Sequence, residues 1–135
     1  MSAFLLDTFV VVTTLYYPDR LAPSAREALG DPRNQRWISV VSAFEMGVKS
    51  SIGKLPLPEA FEQDFQRAFS EVVDRFAAKS LEVSLSHACR VKSLPMIHRD
   101  PFDRLLIAQA LEEDLTLVSR DRKFDAYPGL RVLAA

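Results

Sequence analysis

The chain lacks the features of secreted, membrane-spanning or strongly basic proteins. Its single cysteine among 135 residues excludes an internal disulfide and is typical of a reducing compartment. No window approaches the ~20 apolar residues of a membrane span, and no basic lead precedes the short N-terminal apolar run. A net charge of −1 argues against a nonspecific grip on nucleic acid by the whole surface. These absences predict a cytoplasmic protein that contacts nucleic acid only through local basic patches.

What is present is typical of one globular domain. Hydrophobic residues make up 48% of the chain and charged residues 26%, and the length is sufficient to bury a core. We expect a single domain over residues 1–135, without internal repeats or low-complexity tracts. Cys89 lies in the helical-looking segment SHACRVKSL and is interpreted as a buried small residue rather than a nucleophile.

Short apolar runs alternate with helical patterns along the chain. Strands are predicted at residues 3–6, 36–41, 81–85, 115–119 and 130–133. Helices are predicted after Asp7, at 22–30, at 42–51 with Ser42 as its cap, at 58–78, between the third strand and Leu94, and at 102–113. This alternation predicts an α/β fold with a mainly parallel, helix-covered sheet.

Four acidic residues each lie at the end of an apolar run. Asp7 follows AFLL and Glu45 lies just after WISVV, while Asp103 opens DRLLIAQAL and Asp121 follows LTLVSR. Because the carboxyl ends of parallel strands converge on one crevice, we expect these carboxylates to gather there. They would repel one another unless a cation neutralised them, and oxygen-only ligands suit Mg²⁺ or Mn²⁺. The pattern predicts a metal-dependent enzyme that acts on phosphate esters.

Two of the acids also have simpler structural explanations. Asp7 could only cap the following helix. Glu45 could pair with Lys49, four residues on, for about 0.3–0.5 kcal/mol. A site role is favoured for Glu45 because its neighbours in the sequence are apolar. The histidines His87 and His98 are interpreted as structural or solvated, since oxygen ligands already suffice for the metal.

The other two acids have nearby competitors. Asp100 could take the place of Asp103, and Asp125 the place of Asp121. Only Asp103 is in phase with the apolar face of the helix 102–113, and Asp121 lies nearer the end of its strand. We therefore assign Asp103 and Asp121 to the site.

Three segments together resemble the PIN-domain family, and most of all its VapC-type toxin ribonucleases. They are LLDT at the N-terminus, SVVSAFEMGVKSSIGKL at 39–55 and HRDPFDRLLIAQALEEDLTLVSRDRKFDAY at 98–127. The resemblance implies a three-layer αβα sandwich and an Mg²⁺- or Mn²⁺-dependent endoribonuclease that leaves a 5′-phosphate and a 3′-hydroxyl. The family's acidic quartet falls on Asp7, Glu45, Asp103 and Asp121, as catalytic residues and metal ligands. Many relatives have His after the DT, where this chain has Phe9.

Basic residues flank the acids and could hold the phosphate backbone of an RNA substrate. They are Arg99 and Arg104 around Asp103, and Arg120, Arg122 and Lys123 around Asp121. The side chains expected to contact RNA are Ser119, Lys49, Arg104 and Arg120. Solvated loop charge is the competing interpretation for each basic residue.

The resemblance also implies protein partners: a VapB-like antitoxin and a second copy of the chain in a homodimer. The helix 58–78 carries a face of Phe61, Phe65, Phe69 and Phe76. That face could be core, or it could form with the helix 42–51 a groove for an antitoxin helix.

The sequence disfavours two other classes of phosphate chemistry and leaves two alternative functions open. A haloacid-dehalogenase-like phosphatase would have a second Asp at the position of Phe9, and a phospho-accepting receiver would have an acceptor Asp on the strand LEVSL. A nuclease of housekeeping RNA processing and a catalytically inactive protein-binding module are the remaining alternatives.

Overall fold

The computed structural model describes residues 1–135 and is built on a five-stranded parallel sheet. The strands are β1 (Ala3–Leu6), β2 (Gln35–Ser39), β3 (Lys79–Leu81), β4 (Thr116–Ser119) and β5 (Val132–Ala134). They lie in the order β3-β2-β1-β4-β5, and every neighbouring pair is parallel. The chain moves outward from β1 to β3 and returns to the other side of β1 with β4. A topological switch point, where open α/β sheets bind ligands, therefore lies between β1 and β4.

Helices cover both faces of this sheet. They are α1 (Thr8–Tyr16), α2 (Pro23–Gly30), α3 (Val40–Ser51), α4 (Glu59–Gln63), α5 (Phe65–Arg75), α6 (Leu85–Arg90) and α7 (Pro101–Glu112). Single 3₁₀ turns lie at Pro18–Arg20, Val91–Ser93 and Arg122–Ala126. None of the helices combines the length and the apolar composition needed to cross a membrane.

Alternate residues of the central strands pack into two separate hydrophobic cores, one on each face of the sheet. Phe4 and Leu6 of β1 pack with α1, α2 and α5, whereas Leu5 packs with α7 on the opposite face. Val118 and Leu117 of β4 divide in the same way. This period of two is what a strand buried on both faces requires. The predicted three-layer αβα sandwich is confirmed.

The boundary between β2 and α3 differs from the prediction. The apolar residues 40 and 41 were expected to extend the strand, but α3 already begins at Val40. The Ser39 hydroxyl accepts a hydrogen bond from the Val41 N–H at 3.0 Å and caps the helix in place of Ser42. Ser42 instead exchanges a buried hydrogen bond of 2.9 Å with Thr8, which ties the first turn of α3 to that of α1.

The single helix predicted at 58–78 is two helices. Asp64 has an extended backbone (φ −155°, ψ 95°) between α4 and α5, and its side chain accepts from the Arg67 N–H at 3.1 Å. A helix N-cap has this conformation, so the apolar periodicity continues across a break that only the cap reveals. Phe61 and Phe69 are buried in the core, and Phe65 is half-buried.

The third strand and its neighbourhood also differ from the prediction. β3 ends at Leu81, before most of the segment 81–85, because Ser84 and His87 form a capping box that starts α6. Cys89 is exposed on this short helix, so the interpretation of it as a buried residue is wrong. His87 is the only buried residue of α6, so most of this short helix, Cys89 included, faces solvent.

Candidate active site

An acidic cavity of about 440 Å³ lies at the carboxyl ends of β1 and β4, at the topological switch point. Ten residues line it: Asp7, Thr8, Phe9, Glu45, Lys49, Asp100, Asp103, Arg120, Asp121 and Phe124. The four acids assigned from the sequence are all among them. The cavity joins the first turns of α1 and α7 to the loop after β4 and to the inner face of α3.

Asp7 is fixed at the end of β1 and is almost fully buried, with 5% of its surface exposed. Its Oδ1 accepts a hydrogen bond of 2.8 Å from the Val10 N–H, so the carboxylate caps α1 while it lines the cavity. Burial raises the pKa of Asp7 to about 6; the bonds from Ser119 and Val10 oppose the rise, and the charges of Glu45 and Asp121 add to it. Asp7 therefore both caps α1 and lines the cavity, so its capping role does not exclude it from the site.

Glu45 presents one unpaired oxygen at the cavity. Its side chain is 6% exposed, and Oε2 accepts a hydrogen bond of 2.5 Å from Lys49 Nζ on the next turn of α3. That bond raises the pKa of Lys49. Oε1 is buried and has no hydrogen-bond partner within the chain. A buried carboxylate oxygen without a partner is costly, and a cation is one way to satisfy it.

Asp100 and Asp103 open α7 and point to different partners. Asp100 is the N-cap: its Oδ1 accepts from the N–H groups of Phe102 at 2.8 Å and of Asp103 at 3.2 Å. Asp103 extends toward the other acids, and burial raises its pKa to about 7, with further contributions from the charges of Asp100 and Glu45. His98 acts in the opposite direction on that pKa.

Asp121 and Asp103 are joined by His98. Nε2 of His98 lies 3.0 Å from Asp103 Oδ2 and 3.0 Å from Asp121 Oδ2. Its Nδ1 faces the Asp100 N–H at 3.4 Å, an arrangement that leaves Nε2 as the protonated, donating nitrogen. The ring stacks on Phe124 with centroids 5.4 Å apart. The N–H of Lys123 and the contact with His98 lower the pKa of Asp121, which is the most exposed member of the quartet.

The structure separates the four side chains that were expected to contact RNA. Lys49 and Arg120 line the cavity, whereas Ser119 lies beneath it, where its hydroxyl accepts from the Asp121 N–H at 3.1 Å. Arg104 is buried, and its Nη1 and Nη2 donate to carbonyl oxygens of the segment 91–98. Arg104 is therefore a structural residue that holds this segment against α7. The prediction that Arg104 contacts the substrate is wrong, because its donors are already bonded inside the protein.

The donor set fits a hard divalent cation. Glu45 Oε1 is orphaned, Asp7 and Asp103 have raised pKa values, and carboxylate oxygens of Asp103 and Asp121 lie within 4.8 Å of each other. Carboxylate oxygens at the ends of rigid elements are the ligands that Mg²⁺ and Mn²⁺ prefer. A cation there would supply the partner that Glu45 lacks and would favour the charged forms of Asp7 and Asp103, which burial and the neighbouring carboxylates disfavour.

Two contacts of the cavity were not predicted from the sequence. One is the bridge made by His98, whose position two residues before the helix cap in HRDPFD was a usable signal. The other is the Arg120 guanidinium, which lies 5.1 Å from the centroid of the exposed Phe9 ring. No local sequence pattern connects Phe9 with Arg120, because they are more than a hundred positions apart and meet only where β1 and β4 lie side by side.

Solved structures with the same architecture include several toxin–antitoxin complexes. A chain of VapBC2 from Rickettsia felis, bound to a DNA fragment from the promoter, is 21% identical over 98% of both chains with a TM-score of 0.71. A chain of a Klebsiella pneumoniae toxin–antitoxin complex is 25% identical, with 96% of this chain and 94% of that one covered and a TM-score of 0.59. VapBC-5 of Mycobacterium tuberculosis, a member of the VapBC family, has a chain 21% identical over 99% and 98% with a TM-score of 0.60.

A family model identifies the domain directly. The PIN-domain model matches residues 4–130, which run from the first strand to the last turn before β5. No curated protein sequence matches the chain. The family model spans the sheet, its switch point and the four acids of the cavity, and so the chain belongs to the PIN-domain family.

Proposed function

We propose that this protein is an Mg²⁺- or Mn²⁺-dependent endoribonuclease and the toxin of a toxin–antitoxin pair. The observation that carries the nuclease assignment is the unpaired, buried Oε1 of Glu45 in a cavity that it shares with Asp7, Asp103 and Asp121. An isolated structural carboxylate would have a hydrogen-bond partner, whereas one member of a metal site need not have one within the chain. Membership of the PIN-domain family supports hydrolysis of phosphodiesters as the reaction.

The four carboxylates divide the work of holding the metal. Asp7 and Glu45 are nearly immobile, because one caps α1 and the other is bonded to Lys49. Asp103 and Asp121 are held together by His98, which orients them from outside as a positioning residue. A bound Mg²⁺ or Mn²⁺ would polarise the scissile phosphate and lower the pKa of the attacking water. A carboxylate of the cluster would take up the proton that this water releases.

The basic side chains of the cavity hold the phosphate backbone. Lys49 Nζ is bonded to Glu45 but 40% of the side chain remains exposed, so the ammonium has donors left for a phosphate oxygen. Arg120 forms no ion pair within the chain and reaches the same cavity. With a net charge of −1 for the whole chain, substrate affinity rests on these few contacts and on the cation.

A toxin requires a partner that blocks it, and we infer a VapB-like antitoxin. The solved neighbours that are VapBC complexes support this partner, and an RNA substrate implies action in the cytoplasm. The chain offers an apolar cavity of about 320 Å³ between α1 and the C-terminal end of α5, lined in part by Val72 and Phe76. A homodimer is part of the proposal and is tested by the mass of the purified protein in solution. A housekeeping nuclease would have no cognate antitoxin gene beside its own.

The nuclease proposal is tested by cleavage of RNA with and without metal. Wild-type protein should cleave in Mg²⁺ or Mn²⁺ and stop in EDTA. Asp7→Asn keeps the shape of the side chain but removes a charged ligand, so the rate should fall by about 100-fold or more. Asp19→Asn changes an exposed acid outside the cavity and serves as the matched control. Equal cleavage in EDTA, or full activity of Asp7→Asn, would contradict the mechanism.

A further inference from the structure

Phe9 is an exposed aromatic ring in a cavity otherwise lined mainly by charged side chains. It is 55% exposed, and it lines the same cavity as the four acids. Its backbone is rigidly held, because Thr8 is bonded to Ser42 and the Val10 N–H is bonded to Asp7. A large apolar ring fixed in this way at the mouth of a polar site costs hydration and packs no core.

Arg120 covers this ring and connects the acidic cavity to a second one. Its guanidinium lies 5.1 Å from the ring centroid, within the range of a cation–π contact. Arg120 also lines an adjacent cavity of about 270 Å³, together with Asp121 and Arg122 beside β5. A continuous surface therefore runs from the acids, past Phe9 and Arg120, to Arg122.

We propose that Phe9 is a stacking platform for one unpaired base of single-stranded RNA, next to the scissile phosphate. This inference rests on the proposed nuclease function and names its substrate class. A base that enters the cavity replaces Arg120 over the ring, and the guanidinium, which has no carboxylate partner, then binds a neighbouring phosphate oxygen. The ribose-phosphate chain continues past Arg120 toward Arg122.

A base can stack on Phe9 only if it is not already stacked and paired within an RNA duplex. In duplex RNA both faces of a base are already stacked, so binding to Phe9 would cost unpairing and unstacking, whereas a loop or a free strand offers its bases directly. The ring carries no hydrogen-bonding group, so it selects an accessible aromatic face and not a particular base. Phe9 is therefore expected to bind one unpaired base of any identity, with little sequence information read at this position.

The experiment combines changes in the protein with changes in the RNA. Steady-state cleavage in Mg²⁺ or Mn²⁺ is measured on a single-stranded oligoribonucleotide, on its duplex, and on versions with one abasic nucleotide placed on either side of the cut. Wild type should prefer the single strand, and one abasic position should lower kcat/KM by about tenfold or more. Phe9→Leu should show the same loss on the intact strand, mostly in KM, and no additional loss on that abasic strand.

Matched variants separate stacking from simple loss of an aromatic residue. Phe9→Trp should restore the preference for the intact base. Tyr17→Leu should leave cleavage unchanged, since Tyr17 is 53% exposed and also lies under an arginine, Arg20 at 4.0 Å, but outside the cavity.

The possible results are distinguishable. No cleavage of any RNA by wild type overturns the nuclease function and this inference with it. Cleavage in which the losses from Phe9→Leu and the abasic nucleotide simply add overturns the stacking platform alone. Cleavage untouched by Phe9→Leu, with weaker binding of the co-expressed partner protein, would assign Phe9 to a protein contact and also overturn the inference. A shared loss, rescued by Phe9→Trp, supports it.

Discussion

Asp100 and Asp103 lie one turn apart at the start of α7, but their surroundings give them different roles. Asp100 accepts two backbone N–H groups at once, so it neutralises the helix terminus and is held by it. Asp103 has no such bond and lies among Asp7, Glu45 and His98. In this pair the surroundings of each carboxylate, and not the residue type, distinguish the acid that caps α7 from the acid that faces the quartet.

This difference predicts the ranking of two otherwise identical substitutions. Asp103→Asn should lower RNA cleavage by about 100-fold or more, because it removes a charge that the mechanism needs. Asp100→Asn should be much milder in single-turnover cleavage, because asparagine is an equally good N-cap. Asp121→Asn and Asp125→Asn provide a second pair, in which Asp125 faces Arg122 on the surface at 3.9 Å. If the milder member of either pair were the more damaging one, our assignment of the quartet would be wrong.

Residue roles could be predicted from the sequence only where topology determines the position of the side chain. Asp7 directly follows a strand, and a strand end at a switch point has one possible place. The position of Arg104 could not be predicted in this way. Arg104 lies beside Asp103 in the sequence but on another side of α7, and its guanidinium bonds to the loop that carries His98. Adjacency along a helix does not mean adjacency in space.

At the scale of the elements, strongly constrained segments were predicted well and their boundaries less well. β1 was predicted at 3–6 and runs over Ala3–Leu6; α7 was predicted at 102–113 and runs over Pro101–Glu112. The errors lie where a polar side chain ends an element against the apolar pattern, as Ser39 does before α3 and Asp64 before α5. Hydrophobic periodicity shows which face is buried, but a single side-chain cap can move a boundary by several residues.

The break at Asp64 also changes the surface available to an antitoxin. Phe61 and Phe69 pack in the core, and the ring of Phe65 lies against α3, 3.9 Å from where a Cβ on Gly47 would stand. The groove expected between the helices 42–51 and 58–78 is therefore largely filled by the chain itself. The apolar cavity between α1 and α5, which includes Leu15 and Phe76, is open instead.

Blocking this open cavity should weaken antitoxin binding. Thr14 lines it from α1, and Thr14→Lys would place a long charged side chain among apolar ones. We expect this variant to co-purify less of the neighbouring gene product while its RNA cleavage persists. Ser24→Lys adds the same charge on the exposed face of α2 and should bind normally.

A second variant, on the phenylalanine face predicted from the sequence, decides between the two surfaces. Among Phe61, Phe65 and Phe69 of that face, Phe65 is the most exposed, and we change it to Asn. If Phe65→Asn disrupts the complex and Thr14→Lys does not, the antitoxin binds the phenylalanine face near Phe65. If neither variant, once shown to be folded, affects the complex, then neither surface is the binding site.

At the scale of the whole molecule, a nearly neutral chain concentrates negative charge at one edge of its sheet. The total is −1, yet five acids line a single cavity with only two basic residues, Lys49 and Arg120, among the lining groups. In the metal-free protein these carboxylates are held together by the packing of the elements that carry them. Part of the folding free energy is thus spent on keeping like charges close.

This cost should appear as a dependence of stability on pH. The folded chain raises the pKa of Asp7 to about 6 and that of Asp103 to about 7, from the ordinary value of 3.8. Each carboxyl then binds its proton more tightly when folded than when unfolded. The metal-free protein should therefore lose stability as pH rises from about 4 to about 7, the opposite of a carboxylate stabilised by an ion pair. Melting temperatures across this range, measured in EDTA, test the direction.

A divalent cation and the removal of one charge should relieve the same repulsion. At pH 7.5, Mg²⁺ or Mn²⁺ is expected to bind only the folded arrangement of the acids and so to raise the melting temperature. Asp7→Asn should raise it in EDTA by several degrees, since the buried charge accounts for about 2–3 kcal/mol by its pKa, and it should lose most of the response to metal. Asp19→Asn should retain both the wild-type stability and the wild-type response. The gain in stability and the lost response to metal must occur together in Asp7→Asn. If the variant were stabilised but still responded fully to metal, the cation would bind elsewhere and the buried acids would not form one site.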